Sequence, residues 1–233
     1  MRTMHGSAIE RTTLWLTIKN IEVKNLKKQH IIFDMDGTLL DTARATSKAF
    51  EQVKEKHSLS RLPIEKIHEA MGLHGLEFHG FLFPDKSVDE LGAIANDIDV
   101  IEDEVITEIG KDILFPGVND MLKKLREKGV SMYIASTGSK SHVNTSLTAC
   151  GIKDYFSVIS CDEPKKDEMV KKLIGNSDKA LWAMAGDMFK DSEAAISNGI
   201  LALGAGFGYL SKDEYSLFDE ILKTPADILD YVV

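Results

Sequence analysis

One stretch of the chain, residues 31–41, constrains the fold more than any other. It reads Ile-Ile-Phe-Asp-Met-Asp-Gly-Thr-Leu-Leu-Asp. Three apolar residues that lead into a Gly-containing turn predict a buried parallel strand. Asp34, Asp36 and Thr38 follow where that strand would end, and ligands of open α/β sheets bind beyond the carboxyl ends of strands. Because Gly37 permits a turn, the two carboxylates can reach the same small volume.

The two carboxylates suit different chemical roles. One can attack a substrate or bind a metal, while the other transfers a proton. An Asp-Gly pair alone is also a common turn signal, in which both acids are merely solvated. The choice between these interpretations depends on what the rest of the chain brings to the same end of the sheet.

Strand and helix patterns alternate in the second half of the chain, after the Phe-Pro-Gly at residues 115–117. Short apolar runs predict strands at 130–135, 156–160, 180–185 and 200–203, with an amphipathic helix after each of the first three and a short final helix near Ile228. This alternation predicts a doubly wound parallel sheet with helices on both faces, a Rossmann-like α/β fold.

Residues 43–113 show helical periodicity and almost no strand signal. Ala45, Ala49, Phe50 and Val53 share one helix face, and similar spacing continues to residue 109. We therefore predict an all-helical insert at 43–113, within a core formed by residues 30–42 and 114–233. Residues 1–29 fit neither unit and are an unassigned N-terminal extension.

Two later segments add polar groups near predicted strand ends. Ser136 and Thr137 follow the strand at 130–135, where hydroxyl and backbone N–H groups can bind a phosphate oxygen. Alternatively, Ser136, Thr137 or Ser139 could form a helix N-cap. Lys165 and Lys166 precede a helix, and an ammonium there could offset crowded negative charge, although both could instead be solvated surface lysines.

Asp187 and Asp191 form the last polar segment, directly after the strand at 180–185. Two carboxylates four residues apart could both face Mg²⁺, a hard cation that prefers oxygen ligands. Acidic residues are also favourable at a helix N-terminus for electrostatic reasons alone.

Taken in order, these segments resemble the four motifs of the haloacid dehalogenase-like superfamily of phosphatases and phosphomutases, over residues 30 to about 232. The resemblance implies that Asp34 is the nucleophile that becomes an aspartyl-phosphate and that Asp36 is the general acid/base. It implies phosphate binding by Thr38, Ser136, Thr137 and Lys166, with Lys165 as an alternative to Lys166. It implies a Mg²⁺ cofactor held by Asp34, Asp187, Asp191 and the backbone carbonyl of Asp36.

The helical insert lies where this superfamily has its cap domain, and the chain looks most like the phosphoglycolate phosphatase-like and β-phosphoglucomutase-like subgroup. We predict hydrolysis of a small phosphomonoester. A sugar phosphomutase is the alternative, but the loop from Gly72 to Gly80 lacks Arg and Lys for a second phosphate, so Arg44, Lys48 or Arg61 would have to supply one. A non-catalytic, receiver-like protein is a further alternative, although it would need neither the insert nor Asp36. His74 and His79 are possible substrate-specificity residues.

Composition limits the possible partners. The net charge of −9 does not favour nucleic-acid binding. No apolar run of membrane-spanning length occurs, so no membrane association is predicted. Cys150 and Cys161 imply no disulfide framework, and the reducing cytoplasm is the expected location. The predicted partner is a small phosphorylated metabolite, and the oligomeric state is not predicted.

Overall fold

The computed structural model describes residues 26–71, 73, 75–163 and 165–233. Most of the N-terminal extension therefore lies outside the described residues, as does His74, one of the two histidines considered for substrate specificity.

A six-stranded parallel sheet forms the centre of the molecule, with the strand order β3-β2-β1-β4-β5-β6. The strands are β1 (His30–Phe33), β2 (Ser131–Ala135), β3 (Phe156–Ser160), β4 (Trp182–Gly186), β5 (Leu201–Ala205) and β6 (Glu220–Leu222). Because β1 is central and buried, the residues that follow it lie at the middle of the carboxyl edge of the sheet.

Helices cover both faces of this sheet. The helices are α1 (Thr42–Val53), α2 (Ile64–Ala70), α3 (Leu76–Leu82), α4 (Val88–Ile109), α5 (Val118–Glu127), α6 (Lys140–Ala149), α7 (Lys166–Ile174) and α8 (Phe189–Asn198). Successive strand residues point to opposite faces. Ile31 and Phe33 accordingly share one hydrophobic cluster with α5 and α6, whereas Ile32 belongs to another cluster with α7 and α8. The predicted doubly wound α/β architecture is confirmed.

Some predicted boundaries differ from the observed ones. β4 begins at Trp182 rather than at 180, because Lys179–Leu181 form a 3₁₀ turn whose Ala180 N–H is capped by the side chain of Asp178. β6 has only three residues, too few for a recognisable periodicity, and it was not predicted. The final helix is a 3₁₀ helix at Pro225–Tyr231.

The stretch between β1 and α5 is helical, as predicted. Helices α1 to α4 share a hydrophobic cluster that includes Phe50, Ile67, Ile94 and Ile98. A capping box between Ser87 and Glu90 fixes the start of α4. The far end of α4 carries Val105 and Ile106 into the cluster on the sheet, so one continuous helix joins the insert to the core. The division of the chain into separate domains at residues 43 and 113 stays a prediction.

None of the helices in the described parts of the chain combines the length and the apolar character that crossing a membrane would require.

Candidate active site

The turn after β1 brings Asp34 to the sheet edge. Its backbone N–H donates to Ala185 O on β4 over 2.9 Å, so the central strand pairing continues one residue into the turn. Gly37 has φ +80°, and a Cβ there would lie 2.3 Å from Asp187 Oδ2. Glycine is therefore required at position 37 by both conformation and space, and its lack of a side chain lets the turn pack against Asp187.

Three buried carboxylates meet around one ammonium. Ligand oxygens of Asp34, Asp187 and Asp191 all lie within 4.8 Å of one another. Lys166 Nζ lies 2.8 Å from Asp34 Oδ1 and 2.7 Å from Asp191 Oδ1. Lys166 comes from the first turn of α7 and Asp191 from the first turn of α8, so two helix N-termini and two strand ends build this cluster.

Burial and the crowding of three carboxylates around one ammonium shift the pKa values of the cluster. Burial, partly offset by Lys166, raises the pKa of Asp34 to about 7. Burial and the neighbouring Asp34 raise the pKa of Asp187 well above its ordinary value. Burial acts to lower the pKa of Lys166, but Asp191 and Asp34 outweigh it and raise the pKa, so the ammonium stays protonated.

The cluster fits a divalent cation. Thr38 Oγ1 donates to Asp187 Oδ1 over 2.6 Å, while Asp187 Oδ2 is buried and has no hydrogen-bond partner among the described residues. An uncompensated, buried carboxylate oxygen is costly unless a cation or donor reaches it. Hard oxygen ligands of this kind suit Mg²⁺.

The two candidate lysines lie in different environments. Lys166 is buried against Asp34, whereas Lys165 is exposed and pairs with Glu168 over 3.2 Å. Lys165 is the N-cap of α7 and its side chain is exposed, whereas Lys166 is the first residue of the helix and its side chain is buried.

The three candidate phosphate-binding hydroxyls, like the two lysines, lie in different environments. Ser136 and Thr137 line the cavity beside Asp34, and Ser136 Oγ accepts from Gly138 N over 3.1 Å. The N-cap of α6 is Ser139, which accepts from His142 N. Thr38 is almost fully buried and its hydroxyl is directed to Asp187, so its contact in the structure is with a carboxylate.

The second acid of the first motif contacts a histidine. His142 Nε2 lies 3.3 Å from Asp36 Oδ1, and His142 Nδ1 lies 3.0 Å from Asp103 Oδ1 on α4. Burial acts to lower the pKa of His142, but Asp36 and Asp103 outweigh it and raise the pKa well above the ordinary value. The imidazolium therefore bridges a core carboxylate and an insert carboxylate.

A cavity of about 520 Å³ separates the insert from the sheet edge. Asp34, Asp36 and Lys166 line its floor, and Asp99, Glu102 and Asp103 line its roof on one face of α4. The Thr46 hydroxyl contacts Glu102, and burial raises the pKa of Glu102 to about 7.

His79 also lines the roof of this cavity. It is 4% exposed and packs between the rings of Phe50 and Phe78. Burial lowers its pKa to about 4, so the ring is neutral.

The prediction from the sequence missed His142, Glu102 and Asp103. The spacing of Asp99, Glu102 and Asp103 places them on one helical face, but acidic residues at such spacing also form ordinary solvated faces. Nothing in the local pattern indicated that this face would lie over Asp34.

A family model described as haloacid dehalogenase-like hydrolase matches residues 31–205. The chain belongs to that family. This haloacid dehalogenase-like hydrolase is 32% identical over 127 residues to phosphoglycolate phosphatase of Synechococcus elongatus, a match that covers 51% of this chain and 59% of that protein. The chain thus matches less than two thirds of the length of that curated relative.

Solved structures with low sequence identity share the fold. A structure titled as a predicted phosphoglycolate phosphatase from Haemophilus somnus 129pt has a TM-score of 0.78 at 22% identity, covering 87% of this chain and 97% of that one. CbbY from Rhodobacter sphaeroides, in complex with xylulose-(1,5)bisphosphate, has a TM-score of 0.72 at 19% identity, covering 88% and 100%. These comparisons confirm the predicted superfamily, the fold class and the prediction that the chain is an enzyme. The phosphoglycolate phosphatase among its relatives supports the predicted subgroup.

Proposed function

We propose that this hydrolase is a Mg²⁺-dependent phosphatase that releases phosphate from a small phosphomonoester through an aspartyl-phosphate on Asp34. The observation that carries the proposal is the ammonium of Lys166 between Asp34 and Asp191, beside a second acid, Asp36, that contacts His142. A carboxylate nucleophile needs a neighbouring cation when an anionic phosphoryl group approaches, and Lys166 supplies one.

The first step transfers the phosphoryl group to Asp34. An Asp34 carboxylate oxygen forms a bond to phosphorus while the bond from phosphorus to the leaving oxygen breaks. A proton passes from the His142 imidazolium through the Asp36 carboxylate to that leaving oxygen, so the product is a neutral alcohol. When bound among Asp34, Asp187 and Asp191, Mg²⁺ would supply positive charge that stabilises the phosphoryl oxygens.

The second step returns Asp34 to its starting state. The Asp36 carboxylate takes a proton from water, whose oxygen bonds to phosphorus as the acyl-phosphate bond breaks. Inorganic phosphate and the free Asp34 carboxylate result. The contact of 3.3 Å between His142 and Asp36 holds the acid/base in place through both steps.

The composition of the insert favours transfer of the phosphoryl group to water over its transfer back to a sugar. A mutase acting on a bisphosphate needs a second phosphate site. Among the described residues of the insert, no Lys or Arg lines the cavity. Arg44, considered above for such a site, instead donates to Asp112 O and lies near Asp41.

The test is phosphate release from p-nitrophenyl phosphate in Mg²⁺, comparing the unmodified chain with Asp34→Asn. We expect loss of turnover in Asp34→Asn with an unchanged circular dichroism spectrum, because an amide cannot form the acyl-phosphate. Substantial turnover by folded Asp34→Asn would exclude Asp34 as the nucleophile. Conversion of β-glucose 1-phosphate to glucose 6-phosphate, with a trace of bisphosphate and little free phosphate, would identify a mutase instead.

A further inference from the structure

We propose that the roof of the cavity selects phosphomonoesters whose leaving group carries an ammonium, as in the phosphate ester of a small amino alcohol. The roof is formed by Asp99, Glu102, Asp103 and His79. This inference rests on the proposed function, because the roof faces the leaving group only if Asp34 receives the phosphoryl group.

The charge of the roof supports a cationic ligand. Asp103 has a cationic neighbour in His142, which also serves Asp36. Asp99 and Glu102 line the same cavity and, within the described part of the chain, neither forms an ion pair with a lysine or an arginine. Thr46 donates to one oxygen of Glu102, so the other Glu102 oxygen and the Asp99 carboxylate are available to an ammonium that enters above the phosphoryl site.

His79 is a separate argument, independent of these charges, for a ligand that donates a hydrogen bond. Its side chain lies in the cavity wall, and its buried Nδ1 has no hydrogen-bond partner among the described residues. A neutral imidazole has one nitrogen that accepts. A buried polar atom without a partner is costly, and an N–H group of the ligand would satisfy it.

The remaining wall of the cavity suits a short hydrocarbon linker. Leu73, Phe78 and Ile98 supply apolar surface in the wall of the same cavity. The volume of about 520 Å³ is large enough for a phosphate and a small organic leaving group.

An anionic leaving group would lie next to the negative charges of the roof. Three cations of the core line the cavity, namely Lys166, Lys190 and His142. Lys166 and His142 already contact carboxylates of the protein, and Lys190 also has an interaction partner. A carboxylate or second phosphate under Asp99 and Glu102 would face like charge, which costs affinity and sets specificity. The chain is therefore expected to differ in substrate from a phosphatase of phosphoglycolate, whose leaving group carries a carboxylate.

Three esters of similar size test the proposal: ethanolamine phosphate, n-propyl phosphate and 2-phosphoglycolate. Turnover is measured as phosphate release in Mg²⁺, and binding is measured by calorimetry on Asp34→Asn, which does not depend on turnover. We expect ethanolamine phosphate to exceed 2-phosphoglycolate by about tenfold or more in affinity and in kcat/KM, with n-propyl phosphate between them.

Variants of residues on α4 test whether the roof causes this selectivity. Glu102→Gln and Asp99→Asn should each reduce the ratio between the ammonium and carboxylate esters. Glu104→Gln is the matched control, because Glu104 is two residues from Glu102 but exposed and outside the cavity wall. It should leave the ratio unchanged.

Several results would overturn the proposal. These are equal or tighter binding of 2-phosphoglycolate, equal binding of n-propyl and ethanolamine phosphates, no binding of any of the three, or an unchanged ratio in both roof variants. Selective binding of ethanolamine phosphate without phosphate release from any ester would support the selectivity while rejecting the proposed phosphatase function.

Discussion

Asp103 on helix α4 lies 3.0 Å from the imidazole of His142 on helix α6, and this contact joins the helical insert to the core directly above the site. The other nitrogen of the same ring lies 3.3 Å from Asp36. The position of the proposed acid/base is therefore tied to the position of the insert. Loss of the contact between Asp103 and His142 is therefore expected to disturb the contact between His142 and Asp36 as well.

Replacing His142 by glutamine should lower kcat for p-nitrophenyl phosphate by about tenfold or more, since positioned proton transfer contributes at least this much to rates. Glutamine keeps a donor but cannot bridge both carboxylates with a positive charge. The matched control is His57→Gln, because His57 also pairs with an aspartate, Asp97, at 2.6 Å but lies outside the cavity wall. Equal losses in the two variants would show that His142 has no special role.

The same histidine should make stability depend on pH. Its pKa is raised in the folded protein by Asp36 and Asp103, against the effect of burial. A histidine whose pKa is raised by folding contributes its full stabilisation at pH values below its unfolded pKa of about 6.5. This contribution is lost as the pH rises through the pKa of the folded state. The free energy of unfolding of the unmodified chain should therefore exceed that of His142→Gln most at pH 6. Urea unfolding in chelator should show the difference shrinking towards pH 9, and a constant difference would contradict the ion pairs.

The two adjacent lysines offer a paired test. Lys166→Met removes the ammonium between Asp34 and Asp191, and we expect kcat to fall about 10²–10³-fold, as for loss of a preorganised charge-stabilising group. Lys165→Met should retain activity within about twofold, because the Lys165 side chain is exposed and pairs with Glu168 over 3.2 Å. Steady-state assays in Mg²⁺, with thermal melts to confirm folding, decide the outcome. A larger loss in Lys165→Met would reverse the assignment.

Removing one carboxylate of the cluster should stabilise the metal-free protein. Asp187 is fully buried, its pKa is raised by burial and by Asp34, and its Oδ2 has no partner among the described residues. A carboxyl with a raised folded pKa costs stability as pH rises through that value. At pH 8 in chelator, Asp187→Asn should therefore be more stable by about 1–3 kcal/mol, which raises the Tm by several degrees.

Mg²⁺ should make the unmodified chain more stable than Asp187→Asn. The unmodified chain should gain thermal stability on addition of Mg²⁺, since a ligand that binds only the folded state stabilises it. Asp187→Asn should gain much less, while Asp154→Asn, at an exposed site, should respond like the unmodified chain. Equal Mg²⁺ responses in all three proteins would argue against a metal site at Asp187.

The sequence was sufficient to predict the parts of the fold that local patterns encode. The apolar run before Asp34, the alternation of strands and helices, and the Gly-Asp after β4 each carry their own signal. Residues whose neighbours depend on tertiary packing were not predictable. His142 contacts Asp36 and Asp103 because α4 crosses above α6, and the orientation of that crossing is not encoded in the periodicity of either helix. Lys165 and Lys166 are equivalent in composition, and only the direction of the first turn of α7 distinguishes them.

The central position of β1 also determines when, during synthesis on the ribosome, an active enzyme can first exist. β1 is translated before its two partners, which begin at Ser131 and Trp182. The turn that follows β1 is braced still later: Tyr209 N donates to Gly37 O over 3.3 Å, and Gly208 lies so close to that oxygen that a Cβ would be 1.8 Å away. Pairings between such distant positions form slowly and late. A nascent chain that ends before residue 208 therefore already carries the acids of the site but lacks the segment that braces the turn, so we expect the proposed phosphoryl transfer only after residues 208 and 209 have been added.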